Sequence, residues 1–305
     1  MDALITSLVQ AGFAPERILP RARMARYTTF RVGGEADVLV QIASEQEIAV
    51  ALHAAKRAGV RVTVIGNGSN LLVRDGGIRG LVLRIAGDFS SIRREGDCLI
   101  AQAGATLSAC AQFAQREGLA GLAELSGIPG TVGGGAVMNA GAYGGELSQI
   151  VTSVRTLALS DGAPLSFEGD ALQFSYRHSA MMDADVIITE VSMRLTPADP
   201  SAIRARMDEL SRTRREKQPL EHPSAGSTFK RPEGLFAAKL IDDCGLRGLR
   251  VGDAQVSEKH TGFIVNRGSA TAADILALMD EVVRIVRERT GVTLEPEVRI
   301  LGEDG

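Results

Sequence analysis

Residues 125–146 read LSGIPGTVGGGAVMNAGAYGGE, a stretch with almost no side chain large enough to build a hydrophobic core. Glycine raises the entropic cost of ordering a backbone, so it is tolerated where the main chain approaches something closely or adopts a positive φ. Pro129 fixes one backbone angle, and Thr131 stands at the capping position of a short helix whose free N–H groups could bind an anion. A flexible linker would carry serine and charge in place of Val132 and Tyr143. We therefore interpret the segment as the wall of a ligand site.

The composition is that of an ordinary globular protein with room for about two domains. Of the 305 residues, 45% are hydrophobic and 23% are charged. Lys and Arg number 34 against 37 Asp and Glu, so the net charge of −3 gives no general case for binding nucleic acid or an anionic membrane. Any anion site must therefore be local.

The cysteines and the N-terminus indicate a cytoplasmic protein. Cys98, Cys110 and Cys244 are scattered, without the C-x-x-C spacing of zinc sites or the pairing of a disulfide framework. Residues 1–13 lack the basic region of a signal peptide and have the amphipathic pattern of a small packing helix. Because no apolar run reaches membrane-spanning length, we expect no membrane association, and we expect no bound metal.

Hydrophobic periodicity predicts an α+β fold. We expect helices in a lead-in over 1–26, from Ser44 to Gly59, over 106–117, over 201–215 and from Thr271 to Gly291. We expect strands at 36–42, 60–65, 80–85, 98–103, near 157–167, and at 186–195, 251–256, 262–266 and 293–301. Ser44 with Glu47 has the spacing of a capping box at the start of its helix.

The stretch TPADPS at 196–201 is the best candidate for a domain boundary, since it contains two prolines and no apolar periodicity. We expect a lead-in over 1–26, a large domain over 27–197 and a smaller α+β domain over 198–305. The helix that opens the last domain is basic, and a solvated helix face is the default interpretation of such charge.

A second glycine-rich loop, GNGSN at 66–70, follows a predicted strand. Successive backbone N–H groups in such a turn form a concave nest that suits a pyrophosphate. The loop is not the dinucleotide fingerprint G-x-G-x-x-G, because Leu71 replaces the third glycine, and it is not a P-loop. A hairpin turn would be the better interpretation of this loop alone. Together with residues 127–135, it favours a large cofactor that carries phosphate.

Arg177 is a candidate for recognising an acid. It lies in SYRHS at 175–179, and its planar guanidinium can bind a carboxylate through two hydrogen bonds. A surface salt bridge is the alternative for Arg177. For the neighbouring His178 we prefer a structural role.

Ser227 and Glu297 are the other chemical candidates. Ser227 lacks the G-x-S-x-G elbow of serine hydrolases, but its hydroxyl could give a proton to a strongly basic carbanion. In a strand, Glu295, Glu297 and Arg299 would share one face, although most charged strand ends are only solvated edges. Taken singly, these groups do not decide the function.

Taken in order, the motifs resemble the UDP-N-acetylenolpyruvoylglucosamine reductases, the flavoenzymes of peptidoglycan precursor synthesis. The resemblance covers nearly the whole chain. It runs through YTTFRVGG at 27–34, VIGNGSNLLV at 64–73, residues 125–146, SYR at 175–177, GS at 226–227 and LEPEVRILG at 294–302. It implies an FAD-binding domain of the vanillyl-alcohol-oxidase type over 27–197 and a smaller α+β substrate-binding domain over 198–305.

The resemblance also implies an activity: NADPH reduces FAD, and hydride then passes to the enolpyruvyl group of UDP-N-acetylglucosamine enolpyruvate. Ser227 matches the proton donor of the family, and Arg177 and Glu297 match its two polarising residues. The implied FAD contacts are Ile65, Gly66, Asn67, Gly68, Ser69, Asn70, Gly127, Thr131, Gly133, Gly134, Ala140, Gly141 and Ile187. The implied substrate contacts are Tyr176, Lys217, Lys230 and His260.

The segment after Lys230 is short and has no insertion with a candidate tyrosine. The chain therefore resembles the compact class of the family, which lacks the tyrosine loop that closes over the substrate. Arg231 stands where some members carry Asn. We expect a cytoplasmic monomer whose partners are NADPH and the enolpyruvyl substrate. An FAD oxidase of the same fold, acting on an alcohol or sugar, is the alternative enzyme, and a non-catalytic nucleotide-binding module is the alternative without chemistry.

Overall fold

The computed structural model describes all 305 residues, Met1 to Gly305. The α-helices are α1 Asp2–Gln10, α2 Glu45–Ala58, α3 Leu107–Arg116, α4 Val132–Val137, α5 Ala180–Asp183, α6 Pro200–Lys217, α7 Ala237–Asp243 and α8 Ala272–Thr290. Short 3-10 helices lie at Pro15–Arg17, Met24–Arg26, Ala123–Leu125, Leu147–Gln149 and Gly169–Leu172.

The strands are β1 Ile18–Arg23, β2 Glu35–Ile42, β3 Val62–Ile65, β4 Leu71–Val73, β5 Ile78–Ile85, β6 Ile92–Glu95, β7 Cys98–Gln102, β8 Leu119–Ala120, β9 Gly141–Ala142, β10 Gly145–Glu146, β11 Val151–Ala158, β12 Pro164–Glu168, β13 Val186–Arg194, β14 Thr196–Pro197, β15 Arg250–Val251, β16 Ala254–Val256, β17 Ile264–Asn266 and β18 Arg299–Leu301. Strands and helices are mixed along the whole chain, as the sequence predicts.

The chain forms two compact units that alternate along the sequence. The first unit contains Met1–Pro20, Val38–Asn67 and Gly80–Thr213, and the second contains Arg21–Asp37, Gly68–Arg79 and Arg214–Gly305. The division into contiguous domains at 27–197 and 198–305 stays a prediction.

A five-stranded antiparallel sheet dominates the first unit, in the order β12-β11-β13-β7-β6. Val191 at its centre lies opposite Val154 on one side and Ala101 on the other. A second sheet has the order β1-β2-β5-β3, in which β3 runs parallel to β5. The buried apolar side chains of these strands join those of α2 and α3 in one hydrophobic cluster.

Local capping explains where the helices of the first unit begin and end. The Ser44 hydroxyl accepts a hydrogen bond from the N–H of Glu47 at 3.2 Å, and Gly59 ends α2 with a φ of +65°. The capping box is only half formed, because the Glu47 carboxylate instead accepts from the N–H of Ala43 and from Arg17. The Glu47 carboxylate therefore pairs with Arg17, which lies 30 residues earlier in the sequence, and does not close the local capping box.

The second unit packs α7 and α8 with a small antiparallel sheet in the order β15-β16-β17. A separate parallel pair joins β4 to β18, with Leu71 opposite Arg299. In α8, Thr271 and Asp274 form a complete capping box, and Gly291 ends the helix in the left-handed conformation. The aliphatic face of α8 that the sequence predicts is buried in the core of this unit.

Three expected elements are wrong in part. The strand expected at 251–256 is a hairpin, in which β15 pairs with β16 across a turn at 252–253. The lead-in over 1–26 is not wholly helical, since it contains strand β1. Of the strand expected over 293–301, only Arg299–Leu301 forms a ladder, while Pro296 makes a single isolated bridge to Phe229, so Glu295 and Glu297 lie outside the regular strands. Strands β4 and β6 and helix α7 were not expected, since each is short. Strand β4 pairs with the distant β18, whereas β6 forms a hairpin with the next strand, β7. None of the helices combines the length and the apolar composition needed to cross a bilayer.

The core of the second unit gives a test of its packing. Leu278 on α8 is fully buried, whereas Leu276 on the same helix is partly exposed. We expect Leu278→Ala to lower the free energy of unfolding by about 2 to 5 kcal/mol, through lost burial and the cavity left behind. Urea unfolding measures this loss. Leu276→Ala is the matched control and should lose clearly less, so equal losses would contradict this packing.

Candidate functional site

The loop GNGSN at 66–70 presents backbone donors that the protein does not use. No hydrogen bond within the structure is donated by the backbone N–H groups of Asn67, Gly68, Ser69 or Asn70. Buried or half-buried N–H groups are almost always paired in native proteins, so a run of unpaired donors indicates a ligand. The loop thus has the chemistry of an anion nest, as the sequence predicts.

Gly66 lies directly against Thr131. A Cβ atom on Gly66 would come within 2.4 Å of the Thr131 hydroxyl oxygen, so no other residue fits there without displacing that side chain. Asn67 adds a hydrogen bond from its amide to the backbone oxygen of Pro129 at 3.4 Å. The first half of the loop therefore lies beside the glycine-rich segment.

Helix α4 does not offer the free N–H groups that we expected. Thr131 caps it, since its hydroxyl accepts from the N–H of Gly134 at 3.3 Å. The N–H groups of Val132 and Gly133 donate instead to the backbone oxygens of Ala105 and Ala103, at 2.7 and 2.9 Å. The anion-binding role of this helix is therefore wrong, because its first N–H groups already have protein partners.

The motif YTTFRVGG at 27–34 supports the second half of the loop. A Cβ atom on Gly68 would come within 2.1 Å of the backbone oxygen of Tyr27, and Gly68 has a φ of +63°. The N–H of Thr29 donates to the Gly68 oxygen at 3.2 Å, and the Thr29 hydroxyl donates to the Ser224 oxygen at 2.7 Å. The motif therefore ties the loop to the segment that carries Ser227, a role that the sequence alone did not reveal.

Arg177 lies in a tight turn of the first unit. Ser175 and His178 exchange backbone hydrogen bonds of 3.1 and 3.2 Å, and Arg177 between them has a φ of +56°. A non-glycine residue in the left-handed region is strained, and such strain is common at functional sites. The guanidinium donates to the backbone oxygen of Gly141 at 3.2 Å and stacks 5.1 Å from the centre of the Tyr176 ring.

Asn139 holds this turn against the glycine-rich segment. The residue is buried, and its φ is +41°. Its amide donates to the backbone oxygen of Ser175 at 3.0 Å, and its side-chain oxygen accepts from the N–H of Ser148 at 2.9 Å. Sequence analysis missed Asn139, although an asparagine just after a helix is typical of the left-handed conformation.

Ser227 and Glu297 are brought close along the backbone of the second unit. Ser227 is exposed, and its hydroxyl makes no hydrogen bond to the protein. The next residue, Thr228, accepts a backbone hydrogen bond from the N–H of Glu297 at 2.9 Å. The Thr228 hydroxyl accepts from the N–H of Ile264 at 2.9 Å, which fixes this segment to β17. The Ser227 hydroxyl therefore lies one residue before Thr228, whose backbone oxygen accepts the hydrogen bond from Glu297.

The two lysines predicted to contact substrate differ. Lys217, at the end of α6, is exposed and has no ion-pair partner. The Lys230 ammonium lies 3.2 Å from the Glu295 carboxylate, and both side chains are largely exposed. A surface pair of this kind contributes little to stability and can be exchanged for a ligand.

His260 is packed as a structural residue. Its Nδ1 accepts from the N–H of Gly262 at 3.2 Å, and its ring meets the Phe263 ring edge-on at 5.0 Å. Burial lowers the pKa of His260 below its ordinary value, and the nearby Arg247 cation lowers it further. The imidazole is therefore held neutral, with Nε2 as its remaining donor.

The remaining predicted contacts are apolar or small. Ile65 ends β3 and Ile187 lies on β13. Both side chains are almost fully buried, and Ile187 belongs to the hydrophobic cluster of the first unit. Gly127 and Gly134 are exposed, while Ala140 is partly buried. His178 has the structural role that we preferred, since its Nε2 lies 2.7 Å from the Asp183 carboxylate. No group of three His, Cys, Asp or Glu side chains could hold a metal ion.

Comparison with known proteins decides the family. A family model described as an FAD binding domain matches residues 36–167, and one described as the C-terminal domain of UDP-N-acetylenolpyruvoylglucosamine reductase matches residues 218–301. The UDP-N-acetylenolpyruvoylglucosamine reductase of Clostridium novyi is 46% identical over 289 residues, which cover 95% of this chain and 94% of that protein. The reductase of Agathobacter rectalis is 50% identical over 292 residues, covering 92% of each protein. The chain belongs to the UDP-N-acetylenolpyruvoylglucosamine reductase family.

A solved structure of this family supports the fold. The UDP-N-acetylenolpyruvylglucosamine reductase of Thermus caldophilus has a TM-score of 0.79 and 38% identity, covering 93% of this chain and 98% of that one. The predicted fold class, an α+β flavoprotein with an FAD-binding domain, is confirmed. The unpaired N–H groups at 67–70 suit the pyrophosphate of FAD, so the structure fits the cofactor on its own chemistry.

The segment after Lys230 is short, as expected for the compact class of the family. Arg231 stacks over the Phe236 ring at 4.8 Å, and α7 begins at the next residue, Ala237. Leu235 and Phe236 are both exposed. The segment therefore has no long insertion, and its aromatic side chain is engaged by Arg231.

The lowered pKa of His260 predicts a pH dependence of stability. The unfolded chain binds a proton on this residue near pH 6.5, whereas the folded protein resists protonation until a lower pH. Stability should therefore fall as the pH drops below 6.5 and through the folded pKa. We expect His260→Gln to reduce this loss, measured by urea unfolding at a series of pH values. His53→Gln, at an exposed position, is the control, and an unchanged pH slope in His260→Gln would contradict the prediction.

Proposed function

We propose that the protein reduces the enolpyruvyl group of UDP-N-acetylglucosamine enolpyruvate to the lactyl ether, using NADPH and FAD, in peptidoglycan precursor synthesis. The relatives that cover almost the whole chain are named for this substrate. The observation in the structure that carries the proposal is the free, exposed hydroxyl of Ser227, one residue from the hydrogen bond that attaches Glu297. A reductase of this type needs such a proton donor.

The bound flavin supplies hydride transfer from NADPH to the methylene carbon of the enolpyruvyl ether. Negative charge then develops on the neighbouring carbon, where the chain must deliver a proton. We assign that proton to the Ser227 hydroxyl. We assign Arg177 to polarise the enolpyruvyl carboxylate. The Gly141 oxygen and the Tyr176 ring orient the Arg177 guanidinium for this role. We assign Glu297 to act as a hydrogen-bonded partner of charge elsewhere in the site, since a bare carboxylate would repel the substrate anion.

We assign the UDP diphosphate to Lys217, because this exposed ammonium has no protein partner to give up. Lys230 would first have to leave Glu295, so its contribution to binding is expected to be smaller. Tyr176 is exposed beside Arg177, and we assign it to contact the substrate. His260 would contribute through Nε2, since Nδ1 is occupied by the N–H of Gly262.

We propose that FAD is held by the loop 66–70 and by the segment 127–141. The loop supplies N–H donors, and the segment supplies a surface that is nearly free of side chains. We also propose that the enzyme works as a monomer in the cytoplasm, without nucleic acid or membrane partners. The net charge of −3 and the scattered cysteines support these assignments.

Anaerobic stopped-flow absorbance in the flavin band tests the function. We expect NADPH to bleach the flavin and UDP-N-acetylglucosamine enolpyruvate to restore the absorbance. Bleaching that only oxygen reverses would identify an oxidase of the same fold. A protein that takes up no FAD on reconstitution would refute the assignment of a flavoenzyme.

Ser227→Ala separates the two half-reactions. We expect flavin reduction by NADPH to stay within about twofold of the native rate. Reoxidation by the enolpyruvyl substrate should slow by more than about a hundredfold, because a positioned proton donor typically contributes about 10² to 10⁴ in rate. Stopped-flow absorbance of each half-reaction measures both. Ser224→Ala removes a hydroxyl from the same segment, keeps the carbonyl that Thr29 contacts, and should leave both rates unchanged. Equal slowing of both half-reactions in Ser227→Ala would contradict the role as proton donor.

A further inference from the structure

Asn70 ends the loop GNGSN, and its side chain contacts Glu297. The Asn70 amide donates a hydrogen bond of 3.0 Å to the backbone oxygen of Glu297. The backbone oxygen of Asn70 accepts from the N–H of Arg299 at 2.9 Å. The residue therefore bonds to the 297–299 segment through both its side chain and its main chain.

These contacts fix the backbone of Glu297 on both sides. Its N–H donates to the Thr228 oxygen, and its C=O accepts from the Asn70 amide. The parallel pairing of β4 with β18 begins only at Leu71 and Arg299, so Glu297 lies outside the regular ladder. The Asn70 side chain supplies the hydrogen bond that a strand would otherwise provide at this position.

We propose that Asn70 is a positioning residue for the reduction step, acting through Glu297, in addition to any contact of its backbone with FAD. The proposal rests on the function proposed above. Thr228, the residue that follows Ser227, accepts a hydrogen bond from the N–H of Glu297. Loss of the Asn70 amide would therefore displace the Glu297 carboxylate relative to the proton donor, Ser227. Displacement of a reacting group by about 1 Å can cost about 10² in rate.

An amide is required at this position. Aspartate has the same shape but lacks the donor, and its charge would repel the Glu297 carbonyl oxygen. Asn67, three residues earlier, donates to the Pro129 oxygen and makes no contact with Glu297. The two asparagines of one loop therefore provide a matched comparison between positioning and cofactor contact.

The test measures both half-reactions of the FAD-loaded Asn70→Asp variant by anaerobic stopped flow. We expect reoxidation by the enolpyruvyl substrate to slow by roughly tenfold to a hundredfold, with flavin reduction by NADPH within about twofold and FAD content unchanged. Loss of FAD, or equal slowing of both half-reactions, would overturn the proposal in favour of a cofactor role alone. Asn70→Ser removes the amide without adding charge and gives the same comparison if the aspartate variant does not fold.

A double-mutant cycle with Glu297→Gln distinguishes positioning from general damage. If Asn70 acts through Glu297, Asn70→Asp should slow the Glu297→Gln enzyme by less than about threefold, because contacting residues are not additive. Asn67→Asp is the control, and its effect should multiply with that of Glu297→Gln. If the rate losses of Asn70→Asp and Glu297→Gln multiply fully in the double variant, the inference is overturned. The proposed function is tested separately, by reoxidation of the native enzyme with the enolpyruvyl substrate.

Discussion

The backbone of Gly133 lies against Ala103, and the placement of the whole glycine-rich segment depends on this close approach. A Cβ atom on Gly133 would come within 2.8 Å of the Ala103 Cβ. The N–H groups of Val132 and Gly133 donate to the oxygens of Ala105 and Ala103, just beyond the end of β7. Any larger residue at 133 would have to displace Ala103. The segment is thus a rigid wall whose polar backbone groups are largely satisfied by the protein itself.

The N–H groups of Val132 and Gly133 in this segment already donate to backbone oxygens of the protein. The N–H donors for an anion must therefore come from another part of the chain. The loop 66–70 provides them, and its N–H groups are left unpaired from Asn67 to Asn70. Contact between Gly66 and the Thr131 hydroxyl places the start of this loop beside the wall. Two glycine-rich stretches that look alike in sequence therefore differ in structure: one packs closely against residues 103–105, just after β7, and the other leaves four backbone N–H groups unpaired.

Much of the fold could be predicted because its signals are local. Ser44, Thr106, Thr131 and Thr271 each cap the helix that follows them, and Gly59 and Gly291 end helices as expected. Strand β1 was missed because nothing in the basic lead-in marks its pairing with β2, the next strand in the chain. The strand expected over 293–298 does not form, because this part of the chain makes only one isolated bridge, from Pro296 to Phe229, and β4 has only three residues, Leu71–Val73. Pairing between distant segments leaves no periodicity in either of them.

The sequence singled out candidate chemical residues, but it did not mark the contacts that orient them. Arg177 in its strained turn depends on Asn139, and the segment that carries Ser227 depends on Thr29 and Thr228.

Each of these supporting side chains bonds to a backbone group, because the functional residues lie on irregular backbone that no helix or strand ladder holds. A side chain on irregular backbone is not oriented by a helix or a sheet, so single hydrogen bonds to the backbone must fix its orientation. These bonds join residues far apart in the chain, so a local pattern cannot mark them. Asn139, Thr29 and Thr228 therefore support the candidate residues through backbone groups that lie far away in the sequence.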